Sequence, residues 1–232
     1  MTQPLMEYLP SQPQRQAPPP QGVPASGAGK YHGDIAEGYD AKRANDPKWT
    51  TEQKIIEELL SELPEGSTVL DCPVGTGRFL DVYKKKKITF IGADISGDML
   101  IQSALKLVPQ AKVEEWVAVC NKQNEIIPLR IKDKGALVIG DIRKIGLEDQ
   151  SVDAAVMVRL TRGLSPDDCK VALKELQRVT KSRIIWTARV ANHIHARSVE
   201  LFESALDPDW KLTKNVPGYV LDYRILCAER TA

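Results

Sequence analysis

The sequence predicts an α/β protein: a doubly wound, mostly parallel seven-stranded sheet with helices on both faces and a C-terminal antiparallel hairpin. Three observations predict it. Short apolar runs sized for buried strands alternate with helical stretches. A glycine turn, Gly75 and Gly77, follows the first such run directly. The chain closes on two strand-like runs around Pro217 and Gly218.

Residues 1–29 hold seven of the fifteen prolines, mixed with Gln, Gly and Ser. Such a segment buries too little apolar surface to offset the entropy of ordering it. It reads as a disordered arm, able at most to offer a short extended contact to a partner. A single domain is expected over 30–232. A helix runs from about Thr51 to Leu63, with Ile55, Ile56, Leu59, Leu60 and Leu63 at helical spacing and Pro64 and Gly66 ending it. TVLDC, 68–72, is the first strand, and the helix after the glycine turn carries Phe79, Leu80 and Val82. Lys84 to Lys87 close that helix as a solvated face suited to its C-terminal dipole.

The second strand is expected at 88–96 and the second helix of the series at 98–108, ended by Pro109. Residues 110–134 are irregular by pattern. Strands follow at 135–142, 152–160 and 183–190. Between the last two lies a helix with Ser165 as its cap and Pro166 at its first position. A further helix is expected at 195–206, before the terminal hairpin.

Composition narrows the function. Net charge is +1, so no global field draws the chain to nucleic acid or anionic membrane. The four cysteines, at 72, 120, 169 and 227, lack CxxC spacing, and there are three histidines, which argues against a zinc site. No apolar run reaches the ~20 residues that cross a bilayer, and no leader is read at the start, so a cytoplasmic location is the expectation.

A glycine loop at the carboxyl end of a first parallel strand lies at a ligand crevice. Glycine there admits a ligand where a Cβ would collide. The loop is neither GxGxxG nor a triphosphate loop. Asp94, at the end of the second strand, can accept from both hydroxyls of a ribose. Asp141, in the GDI at 140–142, can accept from an adenine amino group. Three such features in order describe a pocket for an adenosine-containing ligand.

At this point the chain resembles the class I S-adenosylmethionine-dependent methyltransferases, over roughly Tyr31 to Arg230. VLDCPVGTGRF is similar to the family's first motif, GADISGDML to its second, GDIRKIGLEDQSVDAAV to the adenine-side acid and fourth strand, and ALKELQRVTKSRIIWTA to the helix and strand that follow. The resemblance implies a Rossmann-like fold and S-adenosyl-L-methionine as cofactor. It implies that Asp71 orients the loop and approaches the methionine amino group, and that Gly75 and Gly77 pass close to the methionine portion. By the same resemblance Asp94 holds the ribose, Ser96 and Met99 line the adenosine side, and Asp141 faces adenine with Ile142 against the ring. Tyr39 resembles a tyrosine that closes over the cofactor, and Arg43 is a weaker counterpart near its carboxylate.

The departures bear on substrate. Cys72-Pro73 stands where many relatives have glycine then cysteine. Cys72 reads as a small buried residue. After the fourth strand the chain has VRLTRGL, placing Arg159 and Arg162 where a substrate or cofactor carboxylate is held; a structural salt bridge is the competing role for Arg159. His193 and His195 follow the fifth strand and are candidate bases, with surface loop residues as the alternative. The added piece around 116–131 is a candidate cover for the site or an interface.

The leading reading is methyl transfer to an O or N atom of a small-molecule acceptor, with Arg159, His193 and His195 as candidate catalytic residues. No metal, membrane or nucleic-acid partner is expected; the Asn/Asp-Pro-Pro-aromatic signature of amino-methylating DNA enzymes is missing. Self-association through 110–134 is open. The competing readings are a cofactor-binding but catalytically degenerate relative that works through protein contacts, and a nicotinamide oxidoreductase, which the glycine spacing disfavours.

Overall fold

The computed structural model describes residues 31, 33–123, 127–191, 196–220 and 222–231. The Pro-rich arm, His193 and His195 lie outside the described residues.

After a single helical turn, α1 (Asp34–Glu37), the chain enters α2 (Pro47–Ser61). It starts four residues before the apolar stripe predicts, because Asp46 caps it by accepting from the Lys48 N–H and Pro47 occupies the first turn. Then come β1 (Thr68–Asp71), α3 (Leu80–Lys85), β2 (Thr89–Asp94) and α4 (Gly97–Leu105). The second strand ends two residues early because Ser96 is withdrawn to cap α4, its Oγ accepting from the Met99 N–H at 3.3 Å.

Residues 110–134, irregular by pattern, form α5 (Gln110–Gln123) and a short strand β3 (Leu129–Ile131). β4 (Gly135–Ile139), β5 (Val152–Met157), α6 (Pro166–Val179), β6 (Thr180–Arg189), α7 (Val199–Glu203), β7 (Trp210–Pro217) and β8 (Tyr223–Arg230) complete the chain. Ser165 caps α6 as predicted, accepting from the Asp168 N–H at 3.0 Å.

The sheet has eight strands in the order β3-β4-β2-β1-β5-β6-β8-β7. Five central strands are parallel, and β7 and β8 form the antiparallel ending. The added strand relative to the expected seven is β3, antiparallel to β4. Its three residues are too few to display an alternating pattern, so only pairing with β4 identifies it.

Successive residues of the central strands feed opposite cores. Leu70, Ile91, Ala155 and Ile184 pack with α6 and α7. Val69, Phe90, Ala154 and Ile185 pack with α2 through α5. Fully buried strands of this kind read as continuous apolar runs because both faces are covered. Trp116 of α5 is spent on the second core, its Nε1–H donating to Ile127 O at 2.9 Å. Among the described residues no helix is long and apolar enough to cross a membrane.

Candidate functional site

β1 has β2 on one side and β5 on the other. The order in which successive strands are added reverses there, and such a switch point opens a crevice at the carboxyl ends of the strands. A cavity of about 120 Å³ occupies that position. Tyr39, Asp71, Gly75, Asp94, Met99 and Arg159, all singled out by sequence, line it together.

Asp71 ends β1 and is buried. The Tyr83 hydroxyl donates to its Oδ2 at 3.0 Å. Burial pushes its carboxyl up to about 7, with the nearby Asp94 adding to the rise and Tyr83 and Arg78 opposing it. Asp94 ends β2. It accepts from the Gly75 N–H at 2.9 Å through Oδ2 and from the Ser96 N–H at 2.9 Å through Oδ1. Burial raises it as well, opposed by those backbone donors. Asp94 therefore ties the glycine loop to the neighbouring strand and keeps unused lone pairs, since a carboxylate has about four acceptor positions.

The loop takes positive φ at Gly75 (57°) and Gly77 (76°). A Cβ on Gly75 would meet no protein atom within 4 Å, whereas one on Gly77 would strike Leu80 Cδ1 at 2.3 Å. Gly77 and Ser96 do not line the cavity; they shape it from behind. Ser96 is buried, and its Oγ donates to Tyr31 O at 2.7 Å, drawing Tyr31 over the crevice.

Tyr39 closes one side. Its ring meets Tyr31 edge-on at 5.7 Å and Trp49 at 6.1 Å, and the Arg43 guanidinium lies 3.5 Å over its face. Burial raises its phenol, with Arg43 opposing.

Asp141 and Ile142 do not join the cavity lining. Asp141 is gripped by Arg143, whose Nη2 donates at 2.6 Å and whose backbone N–H donates at 2.9 Å. Burial works upward on the Asp141 carboxyl, but the hydrogen bonds and charge of Arg143 together hold it below the usual range. Ile142 is buried in the core beneath α6.

Arg159 holds an unusual place. Its φ is 61°, left-handed for a residue with a Cβ, which costs about 1–2 kcal/mol. Its backbone N–H donates to Thr187 Oγ1 at 2.8 Å, and its Nε donates to Glu52 Oε1 at 2.8 Å. The salt bridge that sequence reasoning set against a substrate role is therefore present. Glu52, fully buried on α2, also pairs with Arg78, whose Nη2 donates to Trp49 O at 2.6 Å. Strain of this kind persists only where surrounding contacts over-determine it, and it gathers at functional sites.

Glu52, Arg78 and Trp49 escaped the sequence reading. One signal was available: Glu52 stands in register with Ile56, Leu59 and Leu63, a carboxylate on the apolar stripe of α2.

The chain matches the family model described as a methyltransferase domain over residues 70–183. That span runs from β1, through both acids and the glycine loop, to β6. The chain carries a class I S-adenosylmethionine-dependent methyltransferase domain.

Solved structures similar to the methyltransferase domain agree on the fold. Magnesium protoporphyrin IX methyltransferase from Synechocystis PCC 6803, solved with S-adenosylmethionine bound, is 12% identical, with a TM-score of 0.66 over 91% of this chain and 99% of that one. A SAM-dependent methyltransferase from Aquifex aeolicus is 20% identical, with a TM-score of 0.57 over 83% and 98%. The cyclase SpnF is 16% identical, with a TM-score of 0.56 over 77% and 80%. No curated protein matches the sequence.

The residues present fit the cofactor. Two buried carboxylates suit hydroxyl and ammonium donors, Arg78 and Arg159 suit a carboxylate, and the open side of Gly75 leaves room against the backbone. The reaction is transfer of a methyl group from S-adenosylmethionine to an acceptor.

Proposed function

We propose that the acceptor is a small molecule methylated on O or N, in a site where Asp94 holds the ribose hydroxyls and Asp71 faces the methionine ammonium. Gly75 passes along the methionine portion with Gly77 setting the loop behind it, Ser96 and Met99 bound the adenosine side, and Tyr39 closes the crevice. Asp141 reaches adenine only through the lone pairs Arg143 leaves, with Ile142 beneath. Arg159 faces the acceptor. His193 and His195 are assigned as bases for acceptors that arrive protonated.

When bound, S-adenosylmethionine supplies a methyl carbon activated by a sulfonium leaving group. The chain then has to align the acceptor and exclude water. An acceptor already deprotonated needs no base. The observation that carries the reading is the open face of Gly75 beside the Asp94 carboxylate at the switch point of the sheet.

Calorimetric titration with S-adenosylmethionine and S-adenosylhomocysteine tests it. Micromolar binding of both, weakened at least tenfold by Asp94→Ala, is the expected outcome. Unchanged affinity in that variant overturns the ribose assignment. Binding without turnover across a panel of O and N acceptors would favour the degenerate alternative. We place self-association, the one macromolecular contact the reading includes, at the free edge of β3 within 110–134. Sedimentation velocity reads it directly, and a monomer at all concentrations refutes it. A cytoplasmic location belongs to the same reading.

A further inference from the structure

Arg159 stands between two cavities. Beyond it, over the carboxyl ends of β5 and β6, lies a smaller pocket of about 30 Å³ walled by Arg159, Arg162, Arg189, Thr187, Tyr219 and Tyr223. At ~10–15 Å³ per water-sized sphere, that space admits about two such spheres. Small and partly open, it suits the polar head of a ligand whose body extends outside it.

The charges around it do not balance. Glu52 serves both Arg78 and Arg159. Arg189 is matched by Asp222 at 3.0 Å. Arg162 is exposed and has no carboxylate partner among the described residues. Two guanidinium charges thus exceed the carboxylates at this corner. Arg159 Nη2 is buried with no hydrogen-bond acceptor among the described residues. A buried guanidinium N–H without an acceptor is costly unless something else supplies one. Arg159 is also held at a strained φ, so its direction is specified by the fold.

We propose that this pocket seats a carboxylate of the methyl acceptor, making the acceptor an anionic small molecule. Its two coplanar oxygens match the fork geometry of the guanidinium donors that line the pocket. A tetrahedral phosphate, with three outward oxygens, is larger. The cofactor's own carboxylate has Arg78 within its cavity, and the smaller pocket shares only Arg159 with that cavity. Naming the ligand an acceptor rests on the methyl-transfer reading; the binding of an anion does not.

The test titrates benzoate and its neutral isostere benzamide into full-length protein saturated with S-adenosylhomocysteine. That product fills the site of the cofactor carboxylate beforehand. Benzoate should bind at least tenfold more tightly than benzamide. Arg162→Gln, at an exposed residue with no ion-pair partner among the described residues, should remove most of that preference and leave S-adenosylhomocysteine affinity within twofold. Equal binding of the two probes overturns the proposal. So does a benzoate affinity untouched by Arg162→Gln, or tighter binding of inorganic phosphate than of benzoate. A large loss of S-adenosylhomocysteine affinity in the variant also overturns it, because Arg162 would then serve the cofactor. Failure of S-adenosylhomocysteine to bind the wild type would count against the methyl-transfer reading instead; the same probe comparison on the free protein still decides the pocket.

Discussion

Gly75 and Gly77 both sit at positive φ, yet an added methyl group meets nothing at the first and Leu80 at the second. Gly75→Ala should therefore cost the fold only the left-handed penalty, about 1 kcal/mol, while S-adenosylhomocysteine affinity falls at least tenfold. Gly77→Ala should cost the fold more, because Leu80 is itself buried and has little room to yield. Denaturant titration alongside calorimetry separates the two; an unchanged affinity in Gly75→Ala would show that the open side of Gly75 does not face a ligand. Asp71 gives a pH signature. Burial raises its carboxyl from 3.8 to about 7 in the folded protein. Between those values the folded state holds a proton that the unfolded chain releases, so stability falls as pH rises through that window and levels off above it. Asp71→Asn should remove this slope and leave the free protein more stable than wild type at pH 8. An ammonium beside Asp71 draws its proton off. Cofactor binding at pH 6.5 should then release a fraction of a proton, visible as different binding heats in buffers of different ionisation enthalpy. No release would place Asp71 away from the ammonium.

At the scale of elements, α6 illustrates how sequence and packing agree. Its cap and first-turn proline were legible in Ser165-Pro166, and its buried side, Cys169, Ala172, Leu173 and Leu176, repeats at helical spacing against the sheet. Ser165→Ala should cost about 1 kcal/mol, and Leu173→Ala about 2–5 kcal/mol, since that side chain is fully enclosed. Thermal unfolding of the two variants checks the ranking; a cap loss exceeding the core loss would mean that α6 is held by its end rather than its face. The weaker readings were α5 and β3. The buried positions of α5 are Val113, Trp116 and Cys120, but the unbroken apolar run from Trp116 to Cys120 masks their helical period in the chain, and it becomes clear only once Trp116 enters the core. The start of α2 was missed for a different reason: the apolar stripe begins later than the Asp46-Pro47 cap that starts the helix.

For the whole molecule, cofactor binding and folding are linked. A ligand that binds only the folded state at about 100 times its Kd adds about 2.7 kcal/mol. For a domain of this size that raises the melting temperature by roughly 5–10 °C. Differential scanning fluorimetry with S-adenosylhomocysteine should show the shift in wild type and lose at least about half of it in Asp94→Ala. A full shift in the variant would contradict the role given to Asp94. The same scale explains why Arg159 cannot be judged as an isolated pair. It joins α2 to the end of β5 through Glu52, and Arg78 joins the glycine loop to the same carboxylate. One fully buried acid thereby couples the two sides of the crevice.

The sequence by itself determined the α/β class, the placement of acids at the ends of β1 and β2, and the glycine loop between them. These follow from local rules: buried parallel strands are continuous apolar runs, and tight turns at positive φ favour glycine. Only the tertiary structure decided that Asp141 is held by Arg143, that β3 joins the sheet, and that Arg159 shares Glu52 with Arg78. Arg159 and Glu52 are 107 positions apart, so no local pattern records their pairing. Burial turns Glu52 from an acid on a helix into a shared counter-ion, and burial is a property of the assembled core.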